Sequence, residues 1–116
     1  GTALKSALFI KQNRVIIASA NIIVIRPHER VLSRYIQLFL DSPIGRVMIK
    51  SFQRGTNVMN LNYTDIMEID IPLLSMHKQQ ELVNTFETEK DRYKKIVTQA
   101  ETRFENVKDK IFNEMI

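Results

Sequence analysis

Residues 76–116 contain neither glycine nor proline, and this stretch constrains the fold more than any other part of the chain. Apolar residues recur there at alternating spacings of three and four, which is the heptad pattern of a coiled-coil helix with one polar member, Lys90. The series is Val83, Phe86, Lys90, Tyr93, Val97, Ala100, Phe104, Val107 and Ile111.

A helix over this stretch would be about 60 Å long at a rise of 1.5 Å per residue. A body formed by residues 1–75 is too small to cover its whole apolar stripe. We therefore predict that the stripe packs against another helix, in a homodimer formed through residues 83–111. A lone monomeric helix is the alternative.

The length of 116 residues, with 44% hydrophobic residues, is enough for one small domain with an appendage. The chain has no cysteine, which excludes disulfides and cysteine-based zinc sites. No signal peptide or membrane-spanning run is recognisable. We expect a cytoplasmic protein.

Charge is unevenly distributed along the sequence. Residues 1–60 carry nine Lys or Arg and two acidic residues, a net charge of +7, whereas residues 61–75 carry −3 and residues 76–116 are neutral. A basic excess on a small body is typical of a surface that faces phosphates. Ordinary solvated lysines and arginines would give the same count.

The first part of the chain reads as β-structure. Residues 7–10 and 15–18 are rich in β-forming side chains and flank a polar turn, so they predict a hairpin. Residues 22–25 predict a further strand, ended by Pro27, which cannot donate to a β-ladder. With the helices that follow, the predicted fold class is α+β, with a small mixed sheet, short helices and one long C-terminal coiled-coil helix.

Two short helices are predicted next. The first covers residues 33–40, and the second begins at Ser42 and Pro43 as N-cap and first turn and runs to about Gln53. Gly55 is placed to cap its end. Residues 56–65 predict an Asn-rich loop, and residues 66–71 a short strand or extended segment. The predicted domains are therefore residues 1–75 and 76–116.

The segment from residue 55 to 83 carries a resemblance. Its motif runs Gly55-Thr56-Asn57, Leu61, Asp65-Ile66, Ile69-Asp70-Ile71-Pro72-Leu73, Gln79 and Leu82-Val83. This order resembles the target-recognition domain of Type I restriction-modification specificity subunits, whose members show a Gly-Thr loop, an Ile-x-Ile-Pro-Leu-Pro segment and a Glu-Gln pair that begins a long helix. Upstream, the residues from Ser19 to Pro27 and from Tyr35 to Arg46 are also similar, so the resemblance covers residues 15–116. The chain departs from the pattern at Leu74, Ser75 and Lys78.

The resemblance implies a non-catalytic subunit whose body reads one half of a split double-stranded DNA target. Its long helix would act as a spacer and dock methyltransferase subunits, and through them the restriction subunit. Such recognition domains are usually longer, so residues 1–75 are expected to be the C-terminal portion of one, as a fragment, a truncated product or a degenerate copy. Self-pairing would rebuild a two-fold arrangement, which the resemblance suggests is antiparallel.

The candidate DNA-binding residues form two polar and basic groups. Arg suits guanine, Gln and Asn suit adenine, and Ser, Thr and backbone N–H groups suit phosphates. A solvated turn and a helix cap are the alternative interpretations. The candidates are Lys11, Asn13 and Arg14 at the predicted hairpin tip, and Lys50, Gln53, Arg54, Thr56 and Asn57 around the glycine.

Nothing in the sequence predicts catalysis, a metal site or a cofactor. His28 and His77 are not in metal-ligand spacing, and Asp65, Glu68 and Asp70 are better explained as exposed carboxylates than as a metal cluster. The leading hypothesis is therefore a DNA-specificity component. The alternative is an interaction protein that dimerises through a coiled coil and has no nucleic-acid role.

Overall fold

The computed structural model describes residues 6–10, 12–18, 22–52 and 62–116. The chain divides into two compact units, Gly1–Val83 and Asn84–Ile116. The described helices are α1 (Ser33–Asp41), α2 (Pro43–Ser51), α3 (Tyr63–Met67) and α4 (Met76–Glu114). The first two turns of α4 belong to the first unit, and the second unit begins within the same helix.

The predicted α+β fold class is wrong for the part of the chain that the structure describes. That part is helical and contains no strand, so there is no mixed sheet within it. Residues 7–10, 15–18 and 22–25 have no regular secondary structure and do not form a ladder. β-branched composition favours an extended backbone, but a strand also requires a neighbouring segment whose donors and acceptors are in register.

The two short helices were correctly predicted, and they meet at a tight corner. Ser42 is the N-cap of α2: its Oγ accepts from the backbone N–H of Gly45 at 3.1 Å, and Pro43 occupies the first turn. Gly45 is buried against α1, where a β-carbon added to this residue would lie 2.8 Å from both Cα and the carbonyl oxygen of Leu40. Only glycine allows the backbones of α1 and α2 to approach this closely.

Part of the predicted Asn-rich loop is in fact helical, because α3 begins at Tyr63. Asn62 and Asp65 form a reciprocal capping box: the Asn62 side chain accepts from the Asp65 N–H at 2.9 Å, and an Asp65 carboxylate oxygen accepts from the Asn62 N–H at 3.1 Å. Asp65 is buried. This pairing satisfies two backbone donors at the helix start, which stabilises even a single turn.

Residues 69–75 connect α3 to α4 and are hydrogen-bonded to α1 and to the start of α4. Tyr35, a buried residue of α1, donates its hydroxyl to the Pro72 carbonyl at 2.7 Å. Gln79 is fully buried, with 0% of its surface exposed, and makes three side-chain hydrogen bonds. Its Oε1 accepts from Leu32 N–H at 2.9 Å, and its Nε2 donates to the carbonyls of Arg30 and Leu74, each at 2.9 Å.

The second unit is the continuation of α4 from Asn84 onward. Its acidic and basic residues are closely interspersed, and it includes an i,i+3 ion pair between Glu105 and Lys108 at 2.8 Å. The predicted long C-terminal helix is thus confirmed, ending at Glu114. None of the described helices combines the length and apolar character needed to cross a membrane.

Candidate nucleic-acid interface

Three of the eight predicted DNA-binding residues lie in the described part of the chain: Asn13, Arg14 and Lys50. All three are exposed. The other five, Lys11, Gln53, Arg54, Thr56 and Asn57, fall outside the described residues. The structure therefore shows the surroundings of only these three candidate residues.

The group around Arg14 lies in a bend within the exposed segment 12–18, which has no regular secondary structure. Gln12 donates its side-chain amide to the Ile10 carbonyl at 3.1 Å, a local contact that shapes the approach to the bend. Asn13 and Arg14 follow in the bend itself. Both side chains are accessible to a ligand, although the paired hairpin strands predicted on either side of them do not form.

The group around Lys50 lies on α2, whose outer face is basic and apolar. Arg46 and Lys50 are one helical turn apart, and both are exposed, as are Ile44 and Val47. The sequence of α2 contains no acidic residue. Arg46 also donates its Nε to the Asp41 carbonyl at 3.1 Å, which satisfies a backbone acceptor at the end of α1 and holds the stem of the guanidinium in place.

Exposed basic side chains outnumber acidic ones in the described part of residues 6–52. The acidic residues there are Glu29 and Asp41. The basic ones, all exposed, are Arg14, Arg26, Arg30, Arg34, Arg46 and Lys50. This region therefore presents a positive surface, the electrostatic requirement for binding a polyanion.

Three described motif residues have structural roles. Asp65 caps α3, the Pro72 carbonyl accepts from the Tyr35 hydroxyl, and the buried Gln79 amide bonds three backbone groups. The sequence pattern did not predict these contacts. The Asn-x-x-Asp spacing at residues 62–65 was a readable capping-box signal, whereas burial of Gln79 follows from tertiary packing and has no local signature.

Two other predicted features have ordinary surroundings. His28 accepts from the Arg30 N–H through Nδ1 at 3.2 Å, a local turn contact. Among the described residues, His, Cys, Asp and Glu side chains form no group of three or more that could hold a metal. Asp65 is committed to its capping box, while Glu68 and Asp70 are exposed.

The predicted coiled-coil residues divide between the two units. Val83 is buried in the first unit, with 7% of its surface exposed. The rest of the series lies along the second unit, and its aromatic members are largely exposed, Tyr93 at 68% and Phe104 at 64%. We define the seam as Phe86, Lys90, Tyr93, Val97, Ala100, Phe104, Val107 and Ile111.

Comparison with known proteins adds no assignment. The chain matches no protein-family model, and no curated protein matches it significantly in sequence.

Proposed function

We propose that the chain is a DNA-recognition component in which the first unit contacts duplex DNA and α4 serves partner subunits. The observation that supports this most directly is the positive surface of the described part of residues 6–52, with six exposed basic residues against two acidic ones. The ordered motif from Gly55 to Val83, similar to that of Type I specificity subunits, favours DNA over other polyanions.

The outer face of α2 is the best-placed contact element. It offers two cations one turn apart and no carboxylate that would repel a phosphate. Val47 is also exposed and lies three residues before Lys50, on the adjoining side of the helix, where it could contact thymine methyl groups or sugar edges. Because Gly45 and the Ser42 cap fix α2 against α1, these side chains are presented from a rigid element.

We propose that this chain binds a methyltransferase subunit and carries no catalytic residue itself. Both statements rest on the resemblance alone. A coiled-coil interaction protein without a DNA role is the second candidate, and the exposed seam of the second unit favours it.

The test is binding of the full chain to a pool of random-sequence duplex DNA at low salt, followed by fluorescence anisotropy. We expect affinity to fall as salt rises, because phosphate contacts release condensed counterions. Lys50→Glu combined with Arg14→Glu should raise Kd by roughly tenfold or more and flatten the salt dependence by about one unit of slope per lost contact.

Arg92→Glu combined with Lys95→Glu is the matched control, since it makes the same total charge change in the second unit. An equal loss of affinity in this control would mean that net charge alone governs binding, which contradicts the proposed interface. Absence of salt-sensitive binding by the unmodified chain would favour the interaction-protein candidate.

A further inference from the structure

Residues 26–31, which we call the arginine turn, precede α1 and have a backbone held by hydrogen bonds. The N–H of Val31 donates to the His28 carbonyl at 3.2 Å, and the N–H of Arg30 donates to Nδ1 of the His28 ring, also at 3.2 Å. The Arg30 carbonyl accepts from the Gln79 side chain at 2.9 Å. Because the N–H and the carbonyl of Arg30 are both bonded, the backbone that carries its exposed side chain is fixed.

Gln79 holds the arginine turn from the protein interior. Its side chain is fully buried and bonds two backbone groups at the end of the turn: Nε2 donates to the Arg30 carbonyl and Oε1 accepts from the Leu32 N–H. A buried amide loses its hydration, a cost that an apolar side chain of similar size would not carry. What the amide adds is direction, because its donor and its acceptor match one carbonyl and one N–H and so specify a single backbone path through residues 30–32.

The side chains on the arginine turn suit a phosphate. Arg26 and Arg30 are exposed cations. His28 is also exposed, and because its Nδ1 accepts from a backbone N–H, the neutral ring carries its proton on Nε2 and can donate it to a ligand. Guanidinium and imidazole N–H groups both bond phosphate oxygens. Glu29 is the one carboxylate between Arg26 and Arg34, so three arginines outnumber it.

We propose that the arginine turn binds a backbone phosphate of duplex DNA, with Arg30 as the contacting residue and the buried Gln79 as its positioning residue. The assignment rests on the proposed function and deepens it, since neither Arg30 nor Gln79 is among the contacts predicted from the sequence. Contacts to phosphates set the register and orientation of a protein on the duplex, whereas contacts to base edges read the sequence. The arginine turn therefore serves affinity and orientation.

A fixed backbone strengthens such a contact. A guanidinium on a loosely held loop must lose backbone as well as side-chain freedom when it meets a phosphate, and that loss weakens binding. In the arginine turn the backbone part is already lost in the free protein, because His28 and Gln79 hold both backbone groups of Arg30. Removal of the Gln79 amide should therefore weaken the contact made by Arg30, although the charge of Arg30 is unchanged.

The contact itself is tested with Arg30→Gln in the full chain, by fluorescence anisotropy with random-sequence duplex DNA over a series of salt concentrations. We expect Kd at low salt to rise about fivefold or more, and the slope of log Kd against log salt to fall by about 0.9, the value for one lost phosphate contact. Arg103→Gln removes the same exposed side chain and charge from the second unit and is the control. An equal effect of the two substitutions overturns the assignment of Arg30.

The positioning role is tested with a double-mutant cycle between Gln79 and Arg30. Gln79→Leu should lower the salt slope as Arg30→Gln does, and adding Arg30→Gln to Gln79→Leu should have little further effect, because the contact is already lost. If Gln79 only stabilised the fold, Gln79→Leu would reduce the fraction of active protein but leave the slope and the Arg30→Gln effect unchanged. That result would overturn the positioning role.

His28→Leu provides the cycle from the exposed side of the turn if Gln79→Leu fails to fold. It removes the ring nitrogen that accepts from the Arg30 N–H and leaves the core untouched, so the Arg30→Gln effect should shrink in this background. An undiminished Arg30→Gln effect there contradicts positioning of Arg30 by its backbone bonds.

The proposed function and the arginine-turn contact can fail separately. Salt-sensitive binding that depends on Arg14 and Lys50 but not on Arg30 would overturn the arginine-turn contact and leave the proposed function standing. Absence of salt-sensitive binding by the unmodified chain would overturn both.

Discussion

The two units of this chain are stabilised by different kinds of contact. The first unit depends on a few specific contacts, such as the Gln79 amide, the Tyr35 hydroxyl and the Gly45 corner, each of which joins separate segments of the chain. The second unit is a regular helix whose ion pair and two cation–π contacts each join residues about one turn apart. Equivalent substitutions should therefore have unequal effects in the two units, which makes the comparison testable.

The largest difference is expected for glutamine. Gln79→Leu would remove an amide that satisfies one N–H and two carbonyl groups, leaving buried backbone groups without partners, so the first unit should lose about 3 kcal/mol of stability. Gln99→Leu, on the exposed surface of α4, should change stability by less than about 0.5 kcal/mol. Urea unfolding followed by near-UV circular dichroism, with hydrogen exchange to localise the effect, measures both. Equal effects would remove the distinction between the units.

Replacing glycine by alanine is expected to change the stability in opposite directions in the two units. Gly45→Ala should destabilise the first unit by about 2 kcal/mol, because the added methyl group meets the α1 backbone at the Leu40 position. At an exposed helical site the order reverses. The Lys95→Ala variant should be more stable than Lys95→Gly by about 1 kcal/mol, following intrinsic helix propensity. Thermal unfolding of the four proteins checks this, and a stabilised Gly45→Ala variant would contradict the close α1–α2 approach.

The smallest difference is expected for tyrosine. Tyr35→Phe removes one hydroxyl whose partner is the Pro72 carbonyl, at a cost of about 1 kcal/mol. Tyr93→Phe removes an exposed hydroxyl and should alter the stability of the chain by a few tenths of a kcal/mol at most. Denaturant midpoints are precise enough to separate the two. If Tyr35→Phe left the stability unchanged, the packing of residues 69–75 would not depend on the hydrogen bond between the Tyr35 hydroxyl and the Pro72 carbonyl.

The sequence predicted those elements whose signals are local. Ser42 and Pro43 mark the start of α2, and the absence of Gly and Pro after Met76, with heptad spacing, marks α4. The capping box at Asn62 and Asp65 was equally local but was outweighed by the number of asparagines around it. The sheet prediction failed because β-propensity describes a single segment, whereas pairing depends on a second one.

The exposure of the candidate residues could be predicted from the sequence, but their spatial arrangement could not. The charge excess of the first 60 residues predicts that Arg14 and Lys50 are exposed, as they are in the structure. The sequence does not predict which side of α2 faces outward, because this depends on the packing of Gly45 against α1. The burial of Gln79 could not be predicted, because nothing in the neighbouring residues indicates that its polar amide is fully buried.

The choice of an amide at position 79 has a consequence for how the protein responds to its medium. The Gln79 side chain is uncharged, so its three hydrogen bonds neither weaken through ionic screening nor depend on a protonation state in the physiological range. The Gln79 hydrogen bonds between the start of α1 and the first turn of α4 should thus persist at high salt concentration and at mildly acidic pH. If residues of the first unit bind a polyanion as proposed, a rise in ionic strength should release the polyanion without breaking these three hydrogen bonds.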